Sequence, residues 1–95
     1  MPKAYLIARV DITDPEAYAR YAAGATEAQK KYGARVLARG GRHEALEGQA
    51  RGRNVVLEFE NVEAARLYYF SQEYQNAKAE REGAAQIELV LVEGV

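Results

Sequence analysis

Two helix-start signals divide this 95-residue chain into two halves of similar layout. The first covers residues 14–17 (Asp-Pro-Glu-Ala) and the second covers residues 61–64 (Asn-Val-Glu-Ala). Aspartate and asparagine are preferred N-cap residues, and proline suits the first helical position. A strand-like segment precedes and follows each signal, which predicts the order strand, helix, strand, strand, helix, strand. This order is typical of an α+β, ferredoxin-like βαββαβ sandwich that forms one domain over residues 1–95.

The boundaries of the elements follow from hydrophobic period and from capping residues. The predicted strands are Lys3–Asp11, Ala34–Arg39, Arg53–Glu60 and Gln86–Glu93. The first helix is expected to end at Gly33, and the second is expected to break at Ser71, which caps a continuation over Gln72–Glu82. Two adjacent glycines at 40 and 41 predict a sharp hairpin turn, followed by an exposed loop over residues 48–52. We expect an antiparallel four-stranded sheet in the spatial order 4-1-3-2, with both helices on one face.

Alternation with a period of two sorts the strand residues onto two faces of this sheet. The face expected to pack under the helices is apolar and carries Leu6, Ala8, Val10, Val55, Leu57, Phe59, Ile87, Leu89 and Leu91. The other face mixes apolar and charged side chains, namely Tyr5, Ile7, Arg9, Leu37, Arg39, Val56, Glu58, Glu88, Val90 and Val92. A patch of this size and apolarity is unusual on a monomer. We therefore predict that a second copy of the chain covers it.

The charges on this second face have two interpretations. In the order 4-1-3-2, Glu88, Arg9, Glu58 and Arg39 would alternate in sign across the sheet. Cross-strand ion pairs would then keep the face soluble or set the register of a dimer. Alternatively, the charges line a cavity under the second subunit, where Arg9 or Arg39 holds a carboxylate or another anion through its forked donors. The two interpretations are compatible.

Composition excludes several classes of function. The absence of cysteine excludes disulfides, thiolate metal sites and cysteine nucleophiles, and fits a reducing compartment. The net charge is −1 with both signs intermixed, so neither nucleic acid nor a membrane is an expected partner. The apolar run from Tyr5 to Val10 is too short to span a bilayer or to serve as the core of a signal peptide. A cytoplasmic protein is predicted.

His43 is the single histidine of the chain and follows the two glycines. Histidine is the side chain best suited to proton transfer near neutral pH, so His43 is a candidate general acid or base. A histidine beside a glycine turn also fits an ordinary surface position. One histidine cannot supply a histidine-rich metal site, and we expect no metal and no cofactor.

The helical tyrosines are also divided between core and site. Tyr18, Tyr21 and Tyr32 share one helix face and fit a core or an interface. Tyr69 and Tyr74 flank the predicted break at Ser71, where a hydroxyl group could point into a pocket. Other candidate positions have simple structural explanations as well. Ser71 fits a helix cap, and Arg81 near a helix end interacts favourably with the helix dipole.

The chain resembles family 1330 of the domains of unknown function over essentially its whole length. The resemblance is carried by residues 5–11, 14–18, 39–48, 55–59, 69–75 and 89–95. It implies a ferredoxin-like protomer in the dimeric α/β-barrel superfamily, where two sheets pack face to face, but it implies no particular reaction. The positions that it implies as site residues are Arg9, Arg39, His43, Tyr69, Ser71, Tyr74 and Arg81. The chain departs from the family pattern at Ala50, Gly52 and Gln72, where members usually have tryptophan, proline and proline.

Together these observations favour a homodimeric, cofactor-free protein that binds a small anionic or phenolic molecule. In this hypothesis His43 donates or accepts a proton, and Arg9 or Arg39 holds an anionic group. Tyr69 and Tyr74 would line a cavity between the helix-free sheet face and the helices. The alternative is a non-catalytic ligand-binding or dimerisation module with a filled interface between two sheets. The sequence leaves open whether the protein is an enzyme.

Overall fold

The computed structural model describes residues 2–95. The elements are β1 (Ala4–Ile12), α1 (Pro15–Lys31), β2 (Arg35–Arg39), β3 (Arg53–Phe59), α2 (Val62–Tyr69), α3 (Gln72–Glu80) and β4 (Ala85–Glu93). All neighbouring strands pair antiparallel, and their spatial order is β2-β3-β1-β4. The predicted ferredoxin-like α+β class and strand order are confirmed. The sheet of the single chain is open and does not close into a barrel.

Local capping explains where the helices begin and end. The side chains of Asp14, Asn61 and Ser71 each accept a hydrogen bond from the backbone N–H three residues later, at 3.2, 2.8 and 3.0 Å. All three caps were predicted, with Thr13 as an alternative to Asp14, and so was the break at Ser71 that separates α2 from α3. Gly33 follows α1 with φ 76°, a left-handed conformation that favours glycine. Within residues 2–95, no helix combines the length and apolarity that a membrane span requires.

The core lies between the helices and one face of the sheet. It is rich in aromatic rings and contains Leu6, Val10, Tyr18, Tyr21, Leu57, Phe59, Tyr68 and Tyr74. Strand alternation predicted the sheet side of this core correctly. In the sequence, the residues of the second helix that are predicted to face inward are Val62, Ala65, Leu67, Tyr68 and Tyr69. Leu67 is nevertheless 66% exposed. The neighbouring Tyr68 faces the core, and one residue along a helix rotates the side chain by about 100°.

Strand β2 departs from simple alternation. Its register with β3 shifts between Val36 and Ala38, which makes Leu37 the extra residue of a β-bulge. Beyond the bulge, Arg39 lies opposite Val55, whose side chain is on the helix-covered side of the sheet. The predicted placement of Arg39 on the helix-free face is therefore wrong, because one extra residue moves every later side chain to the opposite face.

A long irregular connection over residues 40–52 joins β2 to β3, and we call it the β2–β3 loop. Gly40 has φ 68°, so the chain turns where the glycine pair predicted a turn. However, no tight hairpin forms there, because the two strands stop pairing at Arg39 and β3 begins only at Arg53. All residues from 40 to 50 are exposed. The segment offers few alternating apolar side chains whose burial would extend the strands.

Candidate functional site

The end of the β2–β3 loop folds onto the helix-free face of the sheet. Arg9 and Asp11 project from β1 on this face, since they alternate with the buried Leu6 and Val10. The Nη2 group of Arg9 donates a hydrogen bond to the carbonyl oxygen of Gln49 at 3.0 Å. Asp11 Oδ1 accepts a hydrogen bond from the backbone N–H of Gly52 at 2.9 Å. These two contacts fix the position of the loop.

Arg51 strengthens this attachment through three side chains. Its Nη1 group donates to Asp11 Oδ2 at 2.7 Å and to Gln86 Oε1 at 3.2 Å. Its Nε group donates to Glu88 Oε1 at 3.0 Å. Arg51 therefore connects the loop with β1 and β4. Arg51 was not among the candidates named from the sequence, although the two acidic positions that alternation places on this face, Asp11 and Glu88, indicate the need for a basic partner.

A concavity of about 330 Å³ lies between the loop and the sheet. Its lining comprises Arg9, His43, Glu44, Ala45, Leu46, Glu47, Ala50 and Asn54. The sheet contributes Arg9 and Asn54, which lie opposite each other in the β1–β3 register. The loop contributes the remaining lining residues. Two of the candidate residues named from the sequence, Arg9 and His43, thus share one site.

Arg9 has no carboxylate partner in this site. The predicted row of alternating charges would have placed it between Glu88 and Glu58. Instead, Glu88 pairs with Arg51, and Glu58 accepts a hydrogen bond from the Tyr5 hydroxyl at 3.2 Å. Among the described residues, no acidic side chain lies within ion-pair distance of Arg9. The Asp11 carboxylate interacts with the Arg9 charge only at longer range, and Arg9 has hydrogen-bond donors beyond the one that Gln49 accepts.

The imidazole of His43 is exposed at the edge of the concavity. Its Nδ1 atom lies 3.3 Å from the carbonyl oxygen of Gly41. A carbonyl oxygen can only accept, so this contact favours the tautomer with the proton on Nδ1. In that tautomer Nε2 carries a free lone pair and can accept a proton.

The structure does not bring Tyr69, Ser71, Tyr74 or Arg81 to this concavity. All four belong to the helix-covered side of the sheet. Tyr69 lines a separate groove of about 200 Å³ with Leu6, Arg66, Phe70, Leu89 and Leu91. Ser71 is buried and caps α3.

Tyr74 and Arg81 form a polar cluster inside the core. The hydroxyl groups of Tyr74 and Tyr21 are 2.9 Å apart, and Arg81 Nη2 donates to the Tyr74 hydroxyl at 3.5 Å. The Arg81 guanidinium also lies over the Tyr21 ring, 4.9 Å from its centroid. Burial raises the pKa of Tyr21 far above its ordinary range, so the hydroxyl stays protonated. This arrangement supports a core role for Tyr21 and Tyr74. In the described part of the chain, no three histidine, cysteine, aspartate or glutamate residues cluster as metal ligands.

We expect Asp11→Asn to loosen the β2–β3 loop. Hydrogen bonds from the Gly52 amide and from Arg51 hold the pKa of Asp11 below its ordinary value of 3.8. A lowered folded-state pKa means that the stabilisation is present above pH 3.8 and is lost as the pH falls through the folded-state value. Hydrogen exchange at the Gly52 amide should therefore be protected in the wild type at neutral pH and lose protection in acid.

In Asp11→Asn the protection factor of the Gly52 amide should fall about three- to tenfold at neutral pH, since a charge-assisted hydrogen bond becomes a neutral one. Glu60→Gln is the matched control, because Glu60 pairs with Lys3 at the other end of β3. Equal protection of this amide in Asp11→Asn and in the wild type would contradict the role of Asp11.

Comparison with known proteins yields a family and a fold. The model of the domain of unknown function DUF1330 matches residues 3–95. The solved structure of protein RPA0582 from Rhodopseudomonas palustris, of unknown function, is similar with a TM-score of 0.79 and 18% identity, covering 99% of this chain and 83% of that one. A dimeric protein of unknown function and ferredoxin-like fold from Bacteroides fragilis has a TM-score of 0.60 and 16% identity, covering 96% and 95%.

A third solved structure, from Caulobacter crescentus, carries the provisional name of an antibiotic biosynthesis monooxygenase. It is similar with a TM-score of 0.63 and 13% identity, covering 99% of this chain and 91% of that one. At such identities the likeness concerns the fold alone. The search of curated proteins finds no match. Since the family model spans nearly the whole sequence, the chain belongs to the DUF1330 family.

Proposed function

We propose that this protein is a homodimer that binds a small anionic or phenolic molecule between the β2–β3 loop and the helix-free sheet face. The observation that carries the proposal is the presence of both Arg9 and His43 in the lining of one concavity, with no carboxylate within ion-pair distance of Arg9. A partly buried guanidinium without a carboxylate in ion-pair contact is a suitable partner for a carboxylate or phenolate, because its planar fork matches two acceptor oxygens.

The rest of the lining suits the opposite end of such a molecule. Glu44 and Glu47 carry acceptor oxygens, which can bind a hydroxyl or amino group on the ligand. Ala45, Leu46 and Ala50 supply apolar surface for a short carbon skeleton. The volume of about 330 Å³ lies at the lower end of the range for small-molecule sites.

His43 gives this site the means for acid–base chemistry without a cofactor. With Arg9 holding an anionic group, Nε2 of His43 would accept a proton from a hydroxyl or an acidic C–H of the ligand and return it later in the reaction. Cationic Arg9 would stabilise negative charge that develops on the ligand as the proton leaves. An activity assay would test proton transfer by His43, whereas a binding measurement tests the ligand site without one.

The exposed apolar residues of the helix-free sheet face support the proposed homodimer. Val90 and Val92 remain 55% and 45% exposed there, and a second copy would remove them from water. Together with Arg51 of the attached loop, the face carries three acidic and three basic side chains, namely Asp11, Glu58, Glu88, Arg9, Arg35 and Arg51. A two-fold interface brings identical surfaces together, so balanced charge avoids net repulsion. The structures from Bacteroides fragilis and Thermobifida fusca are described as dimeric proteins of related fold, which supports this assembly.

A thermal-shift screen against small carboxylates, phenols and lactones tests the binding function. We expect hits that raise the midpoint of unfolding of the wild type and that disappear in Arg9→Ala and in His43→Ala. For a confirmed hit, Arg9→Ala should weaken binding roughly 10- to 100-fold, the value of one or two hydrogen bonds to a charged group. Arg66→Ala is the matched control, because Arg66 is an exposed arginine on α2, on the other side of the sheet.

The second candidate function is a dimerisation module without a ligand site, in which the two sheet faces fill the interface. The exposed valines of β4 favour it, since they need a partner surface but no ligand. A dimer that gives no hit in the screen would support this candidate. Hits that persist in both Arg9→Ala and His43→Ala would contradict the proposed site.

A further inference from the structure

We infer that the β2–β3 loop is part of the subunit interface, with Leu46 packing on the second copy, so that the partner closes the Arg9–His43 concavity. The inference rests on the homodimer proposed above and makes the ligand site a site between subunits. It adds a contact between the β2–β3 loop and the second copy to the contact between the two sheet faces.

Leu46 is the first observation behind the inference. It is 84% exposed, more than any other leucine of the chain. The same side chain lines the concavity together with Arg9 and His43. A large apolar side chain at the edge of a polar site is favoured where a partner surface removes it from water.

The second observation is that the loop is attached to the face that the partner would cover. Arg9 binds Gln49, and Arg51 binds Asp11 and Glu88, all through side chains on the helix-free side. Leu46 therefore belongs to a loop whose end is hydrogen-bonded to the sheet face that the second copy would cover. A loop that only connected two strands would need no such attachment.

The size of the sheet face is the third observation. β1 and β4 have nine residues each, whereas β2 has five and β3 has seven. The flat outline of such a sheet covers roughly 500 Å², and the side chains that stand on it give it a larger accessible surface. Stable interfaces typically bury about 800 Å² of accessible surface on each partner. The sheet face is therefore of the order of size that a stable dimer needs, and the loop attached to it extends that surface.

A second copy is the occupant that fits the loop and the face best. The face has as many acidic as basic side chains, and the loop adds Arg42, His43, Glu44 and Glu47, again of both signs. A strongly basic or strongly acidic partner would repel about half of these side chains, because they carry the same charge as the partner. The lining residues of the loop are all exposed, so the concavity is open to solvent in the single chain.

Sedimentation velocity on a dilution series tests the inference with two charge-introducing variants. Leu46→Glu should raise the dimer dissociation constant at least tenfold, because a carboxylate would replace a leucine that the proposed dimer buries. Leu67→Glu is the matched control, since Leu67 is an exposed leucine on α2, on the opposite side of the sheet. It should leave the constant within twofold of the wild type. Leu46→Ala should give a smaller increase in the same direction.

Nuclear magnetic resonance provides an independent readout, because a chain with one histidine gives one imidazole signal for each proton type. The His43 signal should move when the wild type is diluted from dimer to monomer. At the higher concentration, Leu46→Glu should already show the monomer position. These shifts need no ligand, so a failed ligand screen does not affect them.

A dissociation constant of Leu46→Glu within twofold of the wild type would overturn the inference while leaving the dimer intact. An equal increase in Leu67→Glu would also overturn it, since the effect would then come from added charge alone. A wild type that is monomeric at every concentration would reject both the homodimer and this inference. Loss of ligand binding in a normal dimer would concern the proposed function only.

Discussion

Tyr74→Ala is expected to lower the free energy of unfolding by about 3–5 kcal/mol, the usual cost of truncating a buried aromatic side chain. Tyr74 is 1% exposed. Its ring packs against Tyr68 and Tyr69 at centroid distances of 5.0 and 5.1 Å and against Tyr21 at 6.0 Å. Removing it would leave a cavity at the point where α1, α2 and α3 meet. Urea denaturation followed by circular dichroism measures the loss.

Tyr74→Phe separates packing from hydrogen bonding at the same position. It would keep the ring but leave the Tyr21 hydroxyl without its partner at 2.9 Å, which should cost about 1–3 kcal/mol. Tyr69→Phe is the control, because within residues 2–95 the Tyr69 hydroxyl makes no hydrogen bond. Wild-type stability of Tyr74→Phe together with lost ligand binding would restore Tyr74 as a site residue and contradict its assignment to the core.

Gly24→Leu should lower the free energy of unfolding by about 1–3 kcal/mol, as for other overpacked interfaces. Gly24 lies in α1, directly opposite Ala77 of α3. A Cβ atom at this position would be 2.9 Å from the Cβ of Ala77, closer than two such atoms can lie. The helices would have to separate, which would also disturb the ion pair between Arg20 and Glu80 at 3.2 Å. Thermal and urea unfolding both measure this effect.

Two further variants isolate the contact between the helices. Ala23→Leu places the same side chain one residue earlier, at an exposed position of α1, and should change stability little. Gly24→Ala should lie between the two, because the gain in helix propensity of about 1 kcal/mol offsets part of the clash. Equal stability of Gly24→Leu and Ala23→Leu would contradict the close contact between α1 and α3 at Gly24.

Helix boundaries were predictable because capping acts over three or four residues. The side chains of Asp14, Asn61 and Ser71 each bond a backbone amide three positions away, so the sequence alone contains both partners. The assignment of Leu67 to the core failed because α2 is too short for its hydrophobic period to define the inward face sharply.

The candidate site was only partly predictable. Alternation placed Arg9 on the helix-free face, and the glycine pair marked the loop that carries His43. The bulge at Leu37 then moved Arg39 to the other face, and nothing in the local sequence specifies where a bulge occurs. The role of Arg51 was not predictable from the sequence, because its partners Asp11 and Glu88 are distant along the chain. They contact Arg51 only once the sheet has formed.

The amino-acid sequence by itself determined the class of fold, the strand order and the caps, since strand period and capping depend on neighbouring residues. The tertiary structure decided which charges pair. Arg51 takes the carboxylate that would otherwise oppose Arg9, because the loop returns across β1 and β4 before it enters β3. A guanidinium without a carboxylate partner, in the same concavity as His43, is therefore a product of long-range packing.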